Sequence, residues 1–280
     1  MNDSLAALVR RHDPDRFLTA LFAPADRRDA LLALYAFNHE LARAREVASE
    51  PTLALIRLQW WREVVEGAPK RHEVATPLSA AIATGSLLPA DLLPIIDARE
   101  IEAEGVIATE AEWQSCLLAG AGGLSVAAAR LLGAADPEAF RPYGAAYGGA
   151  GLLRSLDVLA RAGRCVLPED LLAAEGLSPE AAIAAPEAPP VRRVVDRLQG
   201  VVQGWLDAAP RRIGRAGASG GSAGDAAGGA PTAAPKGAIA AALPAVLARR
   251  DLRRIGQPLR PRGVGDRIAV TLAALTYRLG

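Results

Sequence analysis

The sequence predicts an all-α protein, and three observations carry that prediction. Alanine and leucine drive an apolar content of 51% while aromatics make up only 4%, a balance that suits packed helices better than sheets. Apolar residues recur at three- and four-residue intervals along most of the chain. Proline and glycine punctuate the gaps between those runs, and no convincing alternating, strand-like run appears.

The first long helix is expected from Asp26 to Ser49, with Leu34, Phe37, Leu41, Ala44 and Ala48 on one face. Asp26 and Asp29 near its start complement the helix dipole. Pro51 argues for a break, and Thr52 offers an N-cap to a second helix through Val65 that ends at Gly67. In that helix Trp60 continues a stripe from Leu53 and Ile56 and is expected in the core. Arg62 and Glu66 read as a surface pair one turn apart. Pro77–Thr84 and Pro89–Glu104 read as shorter helices opened by proline. Asp97, Glu100 and Glu104 share a face of the second, which reads as a solvated helix end. Glu110–Leu132 predicts a long apolar helix closed by Gly133. Asp136-Pro137 opens the next, running with glycine interruptions through Tyr143–Ala162. Gly163–Pro168 is a turn, Glu169–Glu175 a short helix, and Ser178-Pro179-Glu180 the cap of another. After the prolines at 186–190, Val191–Ala209 is again helical. Residues 214–237 carry no large apolar side chain and predict a flexible insert within one domain spanning 1–280. From Ala238 to Leu279 the pattern returns to helix, interrupted by Pro258 and Pro261.

Charge and motif content exclude several functions. The 32 basic and 31 acidic residues give a net charge of +1 and form no basic block, so no nucleic-acid footprint is expected. Cys116 and Cys165 lack a CxxC partner and read as reduced, buried thiols. His12, His39 and His72 form no HxxxH pair, so no zinc site is expected. Walker and dinucleotide-binding glycine patterns are absent. No secretory signal pattern opens the chain, and no run approaches the roughly 18 apolar residues of a spanning helix. The expectation is a cytoplasmic protein, with peripheral contact to the inner membrane left open.

Three segments carry a family resemblance. The first is ALYAFNHELARAREVASEP, followed by IRLQWWREVV; the second is LLRSLDVLARAGRCVLPEDLL. Both resemble the squalene/phytoene synthase family, and LPIIDARE adds to the match. The resemblance covers about residues 15–280 and implies an isoprenoid (terpenoid) synthase fold, a helical bundle around a central cavity. In that family the first segment continues into DDxxD and the second reads roughly NxLRDxxxD before GRxxLP. The matching positions here are Ala42, Arg43 and Glu46, then Gly151, Ser155 and Leu159. The closest likeness is to the branch that includes a mitochondrial complex I assembly factor and its bacterial relatives, in which the aspartate motifs are also eroded.

Ionising a prenyl diphosphate requires Mg²⁺ held by carboxylates on two facing helices, because the leaving diphosphate must be neutralised. Glu46 alone survives in the first motif. Asp157, the sole acid between Gly151 and Gly163, lies about 200° around a continuous helix from either expected acidic position. His39, Arg43, Glu46 and Glu50 read as a charge ladder along one stripe. Arg154 stands where the family carries an arginine, so a metal-free anion pocket stays open. The candidate binding set in a vestigial cavity is Tyr35, His39, Arg43, Glu46, Arg154 and Asp157, with no catalytic and no metal-binding residue assigned.

The expected function is a non-catalytic binding or assembly role, as in respiratory complex I assembly, with no cofactor and with a protein partner. One alternative is a prenyltransferase joining prenyl diphosphates head to head, which would need Mg²⁺. The other is a carrier of a prenyl lipid or diphosphate in the old cavity.

Overall fold

The computed structural model describes residues 3–46, 51–105, 107–209 and 237–279. Nearly all of the expected insert at 214–237, and Ala48, Ser49 and Glu50, lie outside them. No β-strand element occurs among the described residues, which form sixteen α-helices.

Two short helices not expected from sequence open the fold, α1 (Asp3–His12) and α2 (Pro14–Ala20). Asp13 caps α2, accepting the Arg16 backbone N–H at 3.0 Å and the Arg16 guanidinium at 2.8 Å. α3 (Ala25–Glu46) is buried on every side from residue 31 to 38. Leu34, Phe37, Leu41 and Ala44 are all inside, as their spacing predicted. α4 (Pro51–Val65) begins on the proline itself, whose missing N–H costs nothing at a first helical position.

α4 corrects the sequence reading in two places. Its buried face is Ala54, Leu58, Trp61, Val64 and Val65, while Leu53 and Ile56 are 46% and 61% exposed. Both stripes satisfy helical spacing, and packing against α3 and the next long helix selects one. Arg62 does not pair with Glu66; its guanidinium reaches Asp97 at 2.6 Å and Glu100 at 2.9 Å. The acidic run of that neighbour is therefore engaged by an arginine across the helix interface.

α5 (Ala75–Ala83) and α6 (Pro89–Glu104) follow. The expected single helix at 110–132 is divided: α7 (Glu110–Leu117), a π turn at Leu118–Gly122, and α8 (Gly123–Leu131). α9 (Arg141–Arg154) and α10 (Leu156–Arg161) are separated by a break at Ser155. α11 (Glu169–Ala174), α12 (Pro179–Ala184) and α13 (Pro189–Ala208) come next, with Ser178 capping α12. α14 (Ile239–Ala242), α15 (Pro244–Leu252) and α16 (Val264–Thr276) complete the described chain.

α3 and α9 are the two central helices. α3 packs on α1, α4, α5, α6 and α8, and α9 packs on the π turn, α13 and α15. The glycines that interrupt α9 make this closeness feasible. A Cβ on Gly144 would collide with the Ala121 carbonyl and lie 2.8 Å from Ser125 Cβ; one on Gly148 would lie 2.6 Å from Ala121 Cβ. Both glycines sit one turn apart on the face that meets the π turn. One apolar core links these helices from Leu5 to Leu279.

Candidate functional site

Between α3 and α9 lies a cavity of about 350 Å³. α3 contributes Leu41, Ala42 and Arg45 to its wall; α6 contributes Arg99 and Glu102. Across from them stand Tyr147, Gly148, Gly151 and Leu152 of α9, then Ser155 at the break and Leu159 of α10. Arg16, Arg164, Asp251 and Arg262 close the remainder. Ala42, Gly151, Ser155 and Leu159 thus face one space, although 109 residues separate the first two in sequence. These are four of the five positions at which the motif comparison placed missing acids or amides; the fifth, Arg43, is exposed and does not line the cavity. Mg²⁺ binds hard oxygen donors. A methyl group, a glycine and a leucine offer none, and one hydroxyl replaces no carboxylate pair.

The acids that do line the cavity are engaged by guanidinium groups. Glu102 accepts from Arg99 at 2.6 Å. Asp251, 3% exposed, accepts from Arg154 at 2.6 Å and from Arg262 at 2.6 and 2.7 Å. Arg262 bridges onward to Asp15 at 2.7 Å, and the Tyr147 hydroxyl donates to Asp15 at 2.9 Å. Burial pulls the Arg262 guanidinium down, but hydrogen bonds to Asp251 and Asp15 outweigh it and hold its pKa above the ordinary value. Burial drives the Tyr147 hydroxyl well up, so it acts as a neutral donor. Among the described residues no group of three or more His, Cys, Asp or Glu is placed to hold a metal ion. The donor set described here does not fit a Mg²⁺ pair.

Arginine dominates the same wall. Arg16 sits with its guanidinium carbon 4.8 Å from the Tyr147 ring centroid and 5.9 Å from that of Tyr35. The Nε atoms of Arg45 and Arg99 are buried without an acceptor among the described residues. Beside this cationic chamber lies a second one of about 240 Å³, which shares Arg45, Glu102, Leu117, Leu152 and Arg164 with it. Its wall mixes Ile107, Trp113, Val166 and Ile183 with Glu169 and Glu180, and it includes both cysteines. Cys116 is buried and Cys165 half-buried; both are free. Burial pushes the Cys116 thiol up to about 11.

The six candidate residues fare differently. Arg154 belongs to the Asp251 network. Tyr35 is buried next to Arg16, and burial raises its hydroxyl to about 12. His39 stacks on His12 of α1 with ring centroids 4.4 Å apart. Arg43 is exposed and reaches Glu40 at 3.3 Å; its expected ladder with Glu46 and Glu50 falls on side chains outside the described residues. The Glu46 side chain lies outside the described residues. Asp157 lines a separate cleft with Glu187, Arg192 and Asp196, because the break at Ser155 redirects the chain that carries it. Sequence reasoning missed Arg16, Arg45, Arg99, Asp251 and Arg262. Arg164 had a signal, since it is the arginine of the GRxxLP segment.

Comparison with known proteins follows from this geometry. The squalene/phytoene synthase family model matches residues 9–272. The chain belongs to the squalene/phytoene synthase family. Solved structures carry the same fold. A dehydrosqualene synthase in complex with ligand superimposes with a TM-score of 0.76, covering 98% of this chain and 95% of that one at 12% identity. Squalene synthase HpnC from Alicyclobacillus acidocaldarius gives 0.64, with 98% and 93% covered at 16% identity. The isoprenoid synthase fold expected from the motifs is therefore the fold of this chain.

Among curated proteins the chain is similar to NADH dehydrogenase (ubiquinone) complex I, assembly factor 6. Identity with the human protein is 37% over 97 residues, which is 33% of this chain and 29% of that protein. The rat protein gives 39% over the same length. The match spans less than a third of these relatives.

Proposed function

We propose that this chain is a non-catalytic member of its family that acts as a binding or assembly protein for a respiratory NADH dehydrogenase. One observation carries the reading: Ala42, Gly151, Ser155 and Leu159 face one cavity whose own acids, Glu102 and Asp251, are held by arginines. An ionised allylic diphosphate would find no metal-held electrophile there. The likeness to complex I assembly factor 6 supplies the partner class. The reading includes a peripheral position at a membrane; no described helix is long and apolar enough to cross one. Its test is deletion of the chain from its host, followed by native-gel analysis of the NADH dehydrogenase. Loss of the assembled enzyme with restoration by the wild-type chain is expected; normal assembly without the chain overturns the reading.

A second reading has its own observation. The cationic chamber, with buried Arg45 and Arg99 Nε atoms, shares its wall with one whose apolar side is Ile107, Trp113, Leu117, Leu152, Val166 and Ile183. That pairing suits an amphipathic ligand with an anionic head and a hydrocarbon tail, such as a prenyl phosphate. Mass spectrometry of lipid extracted from the purified protein decides it: a stoichiometric prenyl lipid supports carriage, and an empty extract removes it.

A further inference from the structure

The last described helix carries an apolar face that the fold does not cover. α16 turns Asp266, Val270, Ala273 and Ala274 inward, where it packs on α15. Val264, Ile268, Leu272 and Leu275 point the other way and are 73%, 52%, 55% and 70% exposed. At about 100° per residue these four fall within roughly 80° of one another, opposite the buried set, along about 17 Å of helix. Single exposed aliphatics are ordinary, but four in register on one helix mark a contact surface.

The exposed charges of the segment that carries the stripe, residues 253–278, all have one sign. Arg253, Arg260, Arg267 and Arg278 are exposed. Asp266 is the sole acid between Leu252 and Leu279. It is 2% exposed and bonded to Arg250 and Arg254. Leu259, 49% exposed, adds an apolar side chain in the loop that leads into α16. The region thus presents hydrocarbon flanked by cations with no counter-charge of its own. A second copy of this chain would bring arginine against arginine, whereas anionic headgroups complement them.

We propose that α16 docks in the plane of a bilayer bearing anionic headgroups, with Val264, Ile268, Leu272 and Leu275 among the acyl chains and the arginines at the phosphates. This deepens the assembly reading by naming the surface that makes its membrane contact. The full chain is tested by co-sedimentation with phosphatidylcholine vesicles, plain or containing about 30 mol% phosphatidylglycerol. Wild type should partition onto the anionic vesicles at least about tenfold more strongly than onto plain ones, and lose that preference at high salt. I268E/L272E should weaken binding about tenfold or more, and R267Q/R278Q should also weaken it and flatten the salt dependence. Unchanged far-UV circular dichroism and melting temperature would show that both variants fold.

Wild type that binds neither vesicle overturns the membrane contact, while the native-gel experiment judges the assembly role separately. Undiminished binding by I268E/L272E overturns the assignment to α16. A dimer seen by light scattering that I268E/L272E dissolves, without vesicle binding, gives the face to a second copy and overturns the proposal.

Discussion

Asp251→Ala probes the buried arginine–carboxylate network at the edge of the cavity. The wild-type carboxylate is 3% exposed and holds Arg154 and Arg262 at 2.6 Å. Arg262 keeps Asp15 after the substitution, at 2.7 Å. Arg154, with a side chain 7% exposed and an Nε already lacking an acceptor among the described residues, loses its carboxylate. Removing one partner of a buried pair costs about 3–5 kcal/mol, because the remaining charge is neither solvated nor paired. For a chain of this size about 1 kcal/mol shifts the melting temperature by roughly 2 °C, so a fall of about 6–10 °C is expected. Replacing both groups, as Asp251→Ala with Arg154→Leu, removes the stranded charge and should recover most of the loss, giving a coupling of about 2 kcal/mol or more. Thermal melts and urea titrations of the wild type, two singles and the double measure it. A single variant within about 2 °C of wild type, or a double as unstable as the two singles added, would refute the reasoning.

Three further outcomes are expected. Burial opposes the charge on Asp266, but hydrogen bonds from Arg254 and Arg250 outweigh it and hold its pKa far below the usual carboxylate value. Its stabilisation is therefore complete above about pH 5 and lost as pH falls below about 4, so Asp266→Asn should be less stable than wild type at pH 7 and show a shallower acid transition in pH-dependent urea unfolding. Gly144→Ala should destabilise by about 1–3 kcal/mol through overpacking, whereas Gly151→Ala, where a Cβ meets nothing within 4 Å, should be neutral or stabilise by up to about 1 kcal/mol; equal melting temperatures for the two would contradict the packing. The Cys116 thiol, raised to about 11 by burial, should react with iodoacetamide at pH 8 on the order of 100-fold more slowly than a free cysteine and at the ordinary rate in urea, as followed by peptide mass spectrometry.

The fold was legible because its signals are local. Helical spacing placed Leu34, Phe37, Leu41 and Ala44 inside, and the helix expected over Pro89–Glu104, opened by its proline, is α6 with the same bounds. The π turn at Leu118–Gly122 was not legible, since glycine and alanine there fit an α-helix equally well and only packing against α9 selects the wider turn. The wrong face of α4 was chosen for a similar reason: both of its stripes are apolar, and α3 and α6 decide between them. Of the cavity, the four altered motif positions were visible in the sequence because each stands beside a family pattern. Asp15, Asp251 and Arg262 carry no local signal. Their meaning comes from contacts across as many as 247 residues. Asp157 misled because the helix was taken to run unbroken through Ser155.

Turnover of prenyl diphosphate is the most direct test of a cavity whose motif positions hold Ala42, Gly151, Ser155 and Leu159 where metal-binding groups were expected. Purified full chain would be incubated with farnesyl and with geranylgeranyl diphosphate in the presence of Mg²⁺, and pyrophosphate and hydrocarbon followed by mass spectrometry. Release no greater than that of a boiled control is the expected result. A squalene- or phytoene-type product clearly above that control would contradict the non-catalytic reading.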